Sequence, residues 1–144
     1  MDWVPESQKL LRAIVEKFGW RIEGFPFDLF NPDYELEILP DSLVYTSSAL
    51  EQLGSDYGNF LKYLLAKRPS LCVNVEGMAE YYDENSLYDY VALRYHRTRN
   101  YLDGYLTRLR ELEHEKTIKI IAAKRIGFGS LYHEAYMYVV WQIA

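Results

Sequence analysis

Three histidines, one cysteine and a glycine-flanked basic turn are the residues of this 144-residue chain whose types suit covalent or metal chemistry. His96, His114 and His133 are scattered. Neither Glu113-His114-Glu115 nor His133-Glu134 has the spacing that puts several ligands on one face, so no metal site is expected. A thiol nucleophile needs a base and an orienting partner, and nothing beside Cys72 would lower its pKa, so it reads as a small buried apolar residue. Gly127-Phe128-Gly129-Ser130 follows Lys124 and Arg125, and backbone amides with two cations can cradle a phosphate. Glycines flanking an aromatic at a hairpin tip are the plainer answer to a demand for positive φ. These patterns assign no catalytic residue and no cofactor.

Binding chemistry is better represented. Glu35 with Glu37, and Glu76 with Glu80, Asp83 and Glu84, make acidic strips suited to a basic cleft on a partner, where they would stand in for phosphates. Arg94, His96, Arg97 and Arg99, with Arg108 and Arg110 further on, form a basic flank in which Tyr90 and Tyr101 lie four residues from Arg94 and Arg97. Cations interleaved with aromatics suit stacking on single-stranded nucleic acid. The same arginines are equally suited to pairing with the acid-rich first half. Residues 1–87 hold 15 acidic and 7 basic side chains, a net of −8, while residues 88–144 hold 6 and 9, a net of +3. Such a dipolar chain steers charged partners, unless the two signs meet within the fold. Tyrosine occurs 14 times, and its flat ring with a polar tip suits contact surfaces as well as half-buried cores. The spacing Arg108-x5-His114 resembles the arginine and histidine of HEPN-type ribonucleases, over those two residues alone and with Leu109 where that family has a polar residue.

The elements that must position these groups follow from periodicity. Pro5 to Phe18 carries Leu10, Leu11, Ile14, Val15 and Phe18 at helical spacing, with Gly19 as a stop. Residues 24–32 read as a loop pinned by aromatics. Residues 34–38 alternate, and Pro40-Asp41-Ser42 then leads into Leu43-Val44-Tyr45, which predicts a β-hairpin. Ser48-x-x-Glu51 is a capping box opening a helix that breaks at Gly54 and runs on to Arg68-Pro69. Residues 71–84 fit strand or helix, with helix favoured. From Ser86 to Glu113 the apolar seam Val91, Tyr95, Thr98, Leu102, Tyr105, Leu109 and Leu112 keeps a heptad spacing, which predicts one long helix. Beyond it, β-branched and aromatic residues over 117–142 predict a closing hairpin, with a helix capped by Ser130 as the alternative. The expected fold is α+β in a single domain, 1–144. It has three to four helices, one of them long (about 86–113), an N-terminal β-hairpin (about 34–46) and a C-terminal β-hairpin (about 117–142).

The single cysteine excludes an internal disulfide and favours a cytoplasmic setting. Asp2, Glu6 and Lys9 interrupt any signal core, and the apolar run Ala135 to Trp141 is far short of the roughly 20 residues of a membrane span. No membrane partner is expected. The acidic lobe, the tyrosine excess and the lack of a catalytic constellation favour binding over catalysis. They point to a small protein-binding module of the kind found among inhibitors, immunity proteins and phage-encoded anti-defence proteins, with a nucleic-acid-binding protein as one kind of partner. The alternatives are a nucleic-acid-binding module using the Arg94 to Arg110 flank, and an assembly subunit pairing through the long helix.

Overall fold

Pro5 needs no amide in a first helical turn and Gly19 takes the left-handed conformation (φ 67°) that ends one, and between them Pro5–Phe18 forms helix α1. The computed structural model describes residues 4–130 and 133–144. Strand β1 (Leu43–Ser47) is followed by a 3-10 turn, Leu50–Leu53, and helix α2 (Gly58–Lys67). Strand β2 (Leu71–Glu76), a second 3-10 turn at Ala79–Tyr81, and helices α3 (Leu87–Arg99) and α4 (Tyr105–His114) come next. Strands β3 (Ile118–Ser130) and β4 (His133–Ile143) close the chain.

The fold is α+β, built on a four-stranded sheet in the order β1-β2-β4-β3. β1 and β2 run parallel, which requires a crossover, and α2 supplies it. β2 with β4 and β4 with β3 are antiparallel. One sheet face carries Val44, Cys72, Met137, Val139 and Trp141 into a core shared with Phe60, Tyr63 and Leu64 of α2, Ala92 and Leu93 of α3, and Tyr105, Leu106 and Leu109 of α4. The other face is turned away from these helices. At the outer edge of β3 the Glu113 carboxylate accepts from the Ile120 amide at 2.7 Å, which occupies a group that would otherwise invite strand pairing.

Four expectations are corrected. The long helix is two helices: Asn100 turns left-handed (φ 52°) to cap α3, and Gly104 does so again (φ 77°) to start α4. Gly54 holds the break by packing its backbone on Asn100 and accepting from the Asp103 amide at 3.2 Å. The heptad seam therefore divides. Leu102, Tyr105, Leu109 and Leu112 are buried, whereas Val91 and Tyr95 are each 45% exposed and α3 buries Asp89, Ala92, Leu93 and His96 instead.

The N-terminal hairpin is also absent from the described residues. Residues 34–38 do alternate, Leu36 and Ile38 inward against Glu35 and Glu37 outward, but they lie over α2, where the Tyr63 hydroxyl donates to the Leu36 carbonyl at 3.1 Å and Lys67 to that of Tyr34. Alternation reports a covered side, and here a helix covers it. Residues 71–76 are strand, not helix, because Cys72, Asn74 and Glu76 form the inward row while Leu71, Val73 and Val75 form the outer one. Nor does the capping box form. Ser48 is left-handed (φ 49°), and the amide of Glu51 is held by Glu76 from β2 at 3.3 Å.

At the C-terminal end, β3 and β4 pair antiparallel, and Ser130 lies in strand. Gly127 (φ 70°) serves a register shift between Arg125 and Phe128, not the tip, which falls outside the described residues.

The helix break has a signed test. Replacing glycine by alanine inside a continuous helix stabilises by about 1 kcal/mol, whereas alanine in the left-handed region costs about 1 kcal/mol or more. Gly104→Ala is expected to lower the urea midpoint; a raised midpoint would restore the single helix.

Candidate functional site

Most of the singled-out charges lie on the 79–84 segment and on α3, and the link between α3 and α4 adds Asp103, which the sequence did not single out. Ala79, Glu80, Tyr82 and Glu84 on one side, and Leu93, His96, Arg97, Asn100, Tyr101 and Asp103 on the other, enclose a cleft of about 360 Å³. Its base is aromatic. The Tyr82 hydroxyl lies 3.1 Å from Nε2 of buried His96, and Tyr101 meets the imidazole edge-on at a centroid distance of 5.4 Å. The rim is acidic: Glu84 and Asp103 are exposed, and no ion pair to Asp103 occurs among the described residues.

The structure uses the predicted acids in different ways. Glu35 and Glu37 are exposed on the segment over α2, away from the 79–84 cluster in sequence. Glu76 is fully buried and so cannot reach a partner protein, a correction to its place in the acidic strip. Glu80 is spent on α4, accepting from the Thr107 amide at 3.1 Å as a helix cap. Asp83 caps its own turn through the Asn85 amide at 2.9 Å. Glu84 pairs with Arg97 at 2.7 Å.

The basic flank is likewise partly spent. Arg94 stacks over Tyr90 at 5.9 Å and bonds its hydroxyl at 3.2 Å. Arg99 stacks over Tyr101 at 5.8 Å. Arg108 bridges Glu111 at 2.8 Å and Glu115 at 3.3 Å, one turn and two turns along α4. With the helix broken, Arg108 belongs to a different element from Arg94, Arg97 and Arg99, so the premise of one continuous flank falls. Its carboxylate partners also oppose the ribonuclease-like role that its spacing to His114 suggests.

Two internal arrangements were invisible in the sequence. Asp89, placed by its position as a first-turn helix acid, is buried and takes Arg125 of β3 bidentately, at 2.6 and 2.7 Å. Hydrogen bonding to that guanidinium holds its carboxyl below the usual carboxylate range. Arg125 also stacks over Tyr82 at 5.5 Å, so the phosphate cradle read at Lys124-Arg125 loses one of its two cations. The second arrangement is centred on Asn74. Its Oδ1 accepts from Trp141 Nε1 at 2.9 Å and from the Tyr105 hydroxyl at 3.0 Å, while its Nδ2 donates to Thr46 Oγ1 at 3.0 Å.

Thr46 in turn meets Glu76, whose Oε2 also accepts from the Glu51 amide. Glu76 Oε1 is buried with no hydrogen-bond partner, and burial pushes this carboxyl up to about 7. Cys72 is a buried free thiol, pushed up to about 12 by burial, so it is inert at neutral pH. Among the described residues no three metal-ligating side chains come together, and no helix is long and apolar enough to cross a membrane. No family model, curated protein or solved structure matches the chain.

Two stability measurements follow. Glu76 binds its proton more tightly folded than unfolded, so its contribution is complete below its ordinary value of 4.5 and is lost as pH rises through about 7. The loss is on the order of 3 kcal/mol between pH 4.5 and 8. Glu76→Gln is expected to flatten that slope in urea unfolding and to be the more stable protein at pH 8; an unchanged slope would refute the assignment. Arg125→Met leaves Asp89 buried without its cation and is expected to cost about 3 kcal/mol, most of it regained by adding Asp89→Asn. Additive losses in that double-mutant cycle would contradict the pairing.

Proposed function

We propose that the protein acts by binding, taking a basic segment of a protein partner at the cleft beside the α3–α4 link. The observation that carries this reading is the combination of an acidic rim, Glu84 and Asp103, with the aromatic base of Tyr82 and Tyr101. A lysine or arginine side chain entering there would gain an ion pair and a ring face together. The chain itself supplies the precedent: Arg97 sits on Glu84, Arg125 over Tyr82 and Arg99 over Tyr101. Exposed Asp83 adds to the acidic character beside the cleft, and exposed Glu35 and Glu37 add to the negative field that speeds a basic partner's approach.

Proteins with basic clefts, nucleases and other nucleic-acid-binding proteins foremost, are partners of this chemistry. This reading places the chain among the kinds of binder found as inhibitors, immunity proteins and phage-encoded anti-defence proteins, with its acids filling the surface that phosphates would occupy. The one free, buried thiol suits a cytoplasmic setting.

Calorimetric titration with an arginine-rich peptide tests the cleft. Binding is expected to weaken as salt rises, and Glu84→Lys with Asp103→Lys to weaken it at least about tenfold while leaving the unfolding free energy within about 0.5 kcal/mol, since both side chains are exposed. Equal affinity for the double variant would end the reading. Mass spectrometry of what the wild type, but not that variant, retains from its own cell would then name the partner.

A further inference from the structure

The acidic cleft leaves unused the sheet face turned away from the helices. Strand register places Leu43, Tyr45 and Ser47, then Leu71, Val73 and Val75, then Tyr136, Tyr138, Val140 and Gln142, then Lys119, Ala122, Lys124 and Phe128 on it. Two of its aromatic residues stand out, Tyr45 at 59% exposed and Phe128 at 64%, whereas Tyr136, Tyr138, Val73, Val75 and Val140 are half-buried by their neighbours. Phe128 and Tyr136 lie side by side with centroids 5.8 Å apart and planes only 32° from parallel. Tyr138 is two residues along β4 from Tyr136, and Tyr45 lies two strands away, at a backbone distance of about 12 Å from Tyr138.

Charge decides what such a platform takes. Residues 43–47, 71–75, 119–128 and 136–142 contain no aspartate or glutamate at all. Lys119 and Lys124 are exposed at the β3 side and enter no ion pair among the described residues. A second copy laid on this face would bring the lysines of both chains to one interface with no carboxylate within those four ranges to meet them, which is unfavourable. An occupant with planar apolar groups and a regular negative charge fits both halves of the surface.

We propose that this face binds a single strand of nucleic acid, its bases laid on Tyr45, Tyr138 and the Phe128–Tyr136 pair and its phosphates drawn to Lys119 and Lys124. Every base has a flat face, so stacking of this kind is tolerant of sequence. With two lysines the electrostatic share is small. The net charge of −5 keeps strands off the rest of the molecule and so orients them. The surface is separate from the acidic cleft, so each is tested without the other.

The experiment is fluorescence anisotropy of labelled single-stranded oligothymidylate, and of its RNA counterpart, titrated with the full chain. Binding is expected at low salt, with log K falling against log salt with a slope of about −1.4 for two phosphates neutralised. Lys124→Ala is expected to reduce the slope by about half, and Tyr45→Ala to weaken binding roughly tenfold with the slope unchanged. Both are exposed positions, and equal unfolding midpoints would exclude a folding defect. No binding at low salt, or binding that Tyr45→Ala with Lys124→Ala leaves intact, overturns the proposal. So does a stable dimer in light scattering that Tyr45→Lys dissociates, which would give the face to a second copy, or a protein that Tyr45→Lys releases while oligonucleotide never binds.

Discussion

The buried amide of Asn74 is the constraint on which the arrangement of this molecule depends. It sits at zero exposure on β2, a central strand, and it takes a hydrogen bond from β4 through Trp141 and one from α4 through Tyr105, and gives one to β1 through Thr46. Both donors converge on Oδ1, so the orientation of the amide is fixed by its partners. A polar group in such a place is costly unless all its partners are present. The three elements must therefore arrive together, and a slip of β1 or β4 by one residue would turn Thr46 or Trp141 to the opposite face and leave the amide unsatisfied. Apolar burial drives the collapse, while this network selects one register from those that collapse alone would permit.

Ion pairs then divide the remaining charge between structure and surface. Asp89 and Arg125 tie α3 to β3 across the chain, and their burial makes each intolerable without the other. By contrast, Arg97 with Glu84, and Arg108 with Glu111 and Glu115, are exposed pairs that contribute little to stability. They are nonetheless informative about binding, because an exposed pair exchanges readily with an incoming charge. The opposite charges of the two halves of the chain thus do meet within the fold, but only in part.

Helix α1 was legible to the residue because its signals are local, a proline at one end and a left-handed glycine at the other. The C-terminal strands were legible in type because β-branched and aromatic residues dominate them. What was not legible depends on contacts made at a distance. The seam from Val91 to Leu112 is spaced like one helix, yet nothing local announces that Asn100 and Gly104 will both turn left-handed; Gly54, about a third of the chain away, holds that break. In β2 the hydrophobic pattern is inverted, so a rule that sends apolar side chains inward picks the wrong face. Cleft residues were legible as charges but not as a site, since only the fold brings Asp103 and Tyr101 opposite Glu84. His96 was visible as a lone histidine, and its burial against Tyr82 could not be read from spacing.

The inversion in β2 and the break between α3 and α4 are two sides of one solution. Asn74 and Glu76 occupy the inward row of the sheet, so the helices above it must bring polar partners as well as apolar ones, and α4 does so with Tyr105. Placing Tyr105 over Asn74 while Leu93 and Ala92 of α3 also reach the core requires the chain to change direction between them, which Asn100 and Gly104 provide. That turn lifts Tyr101 and Asp103 to the rim opposite Glu84, and so makes the cleft. With polar groups taking the inner row, the valines of β2 go to the outer one, turned away from α2, α3 and α4, where they form an apolar surface. Both surfaces offered for binding thus descend from the same buried amide, one through the helix it recruits and the other through the side chains it displaces.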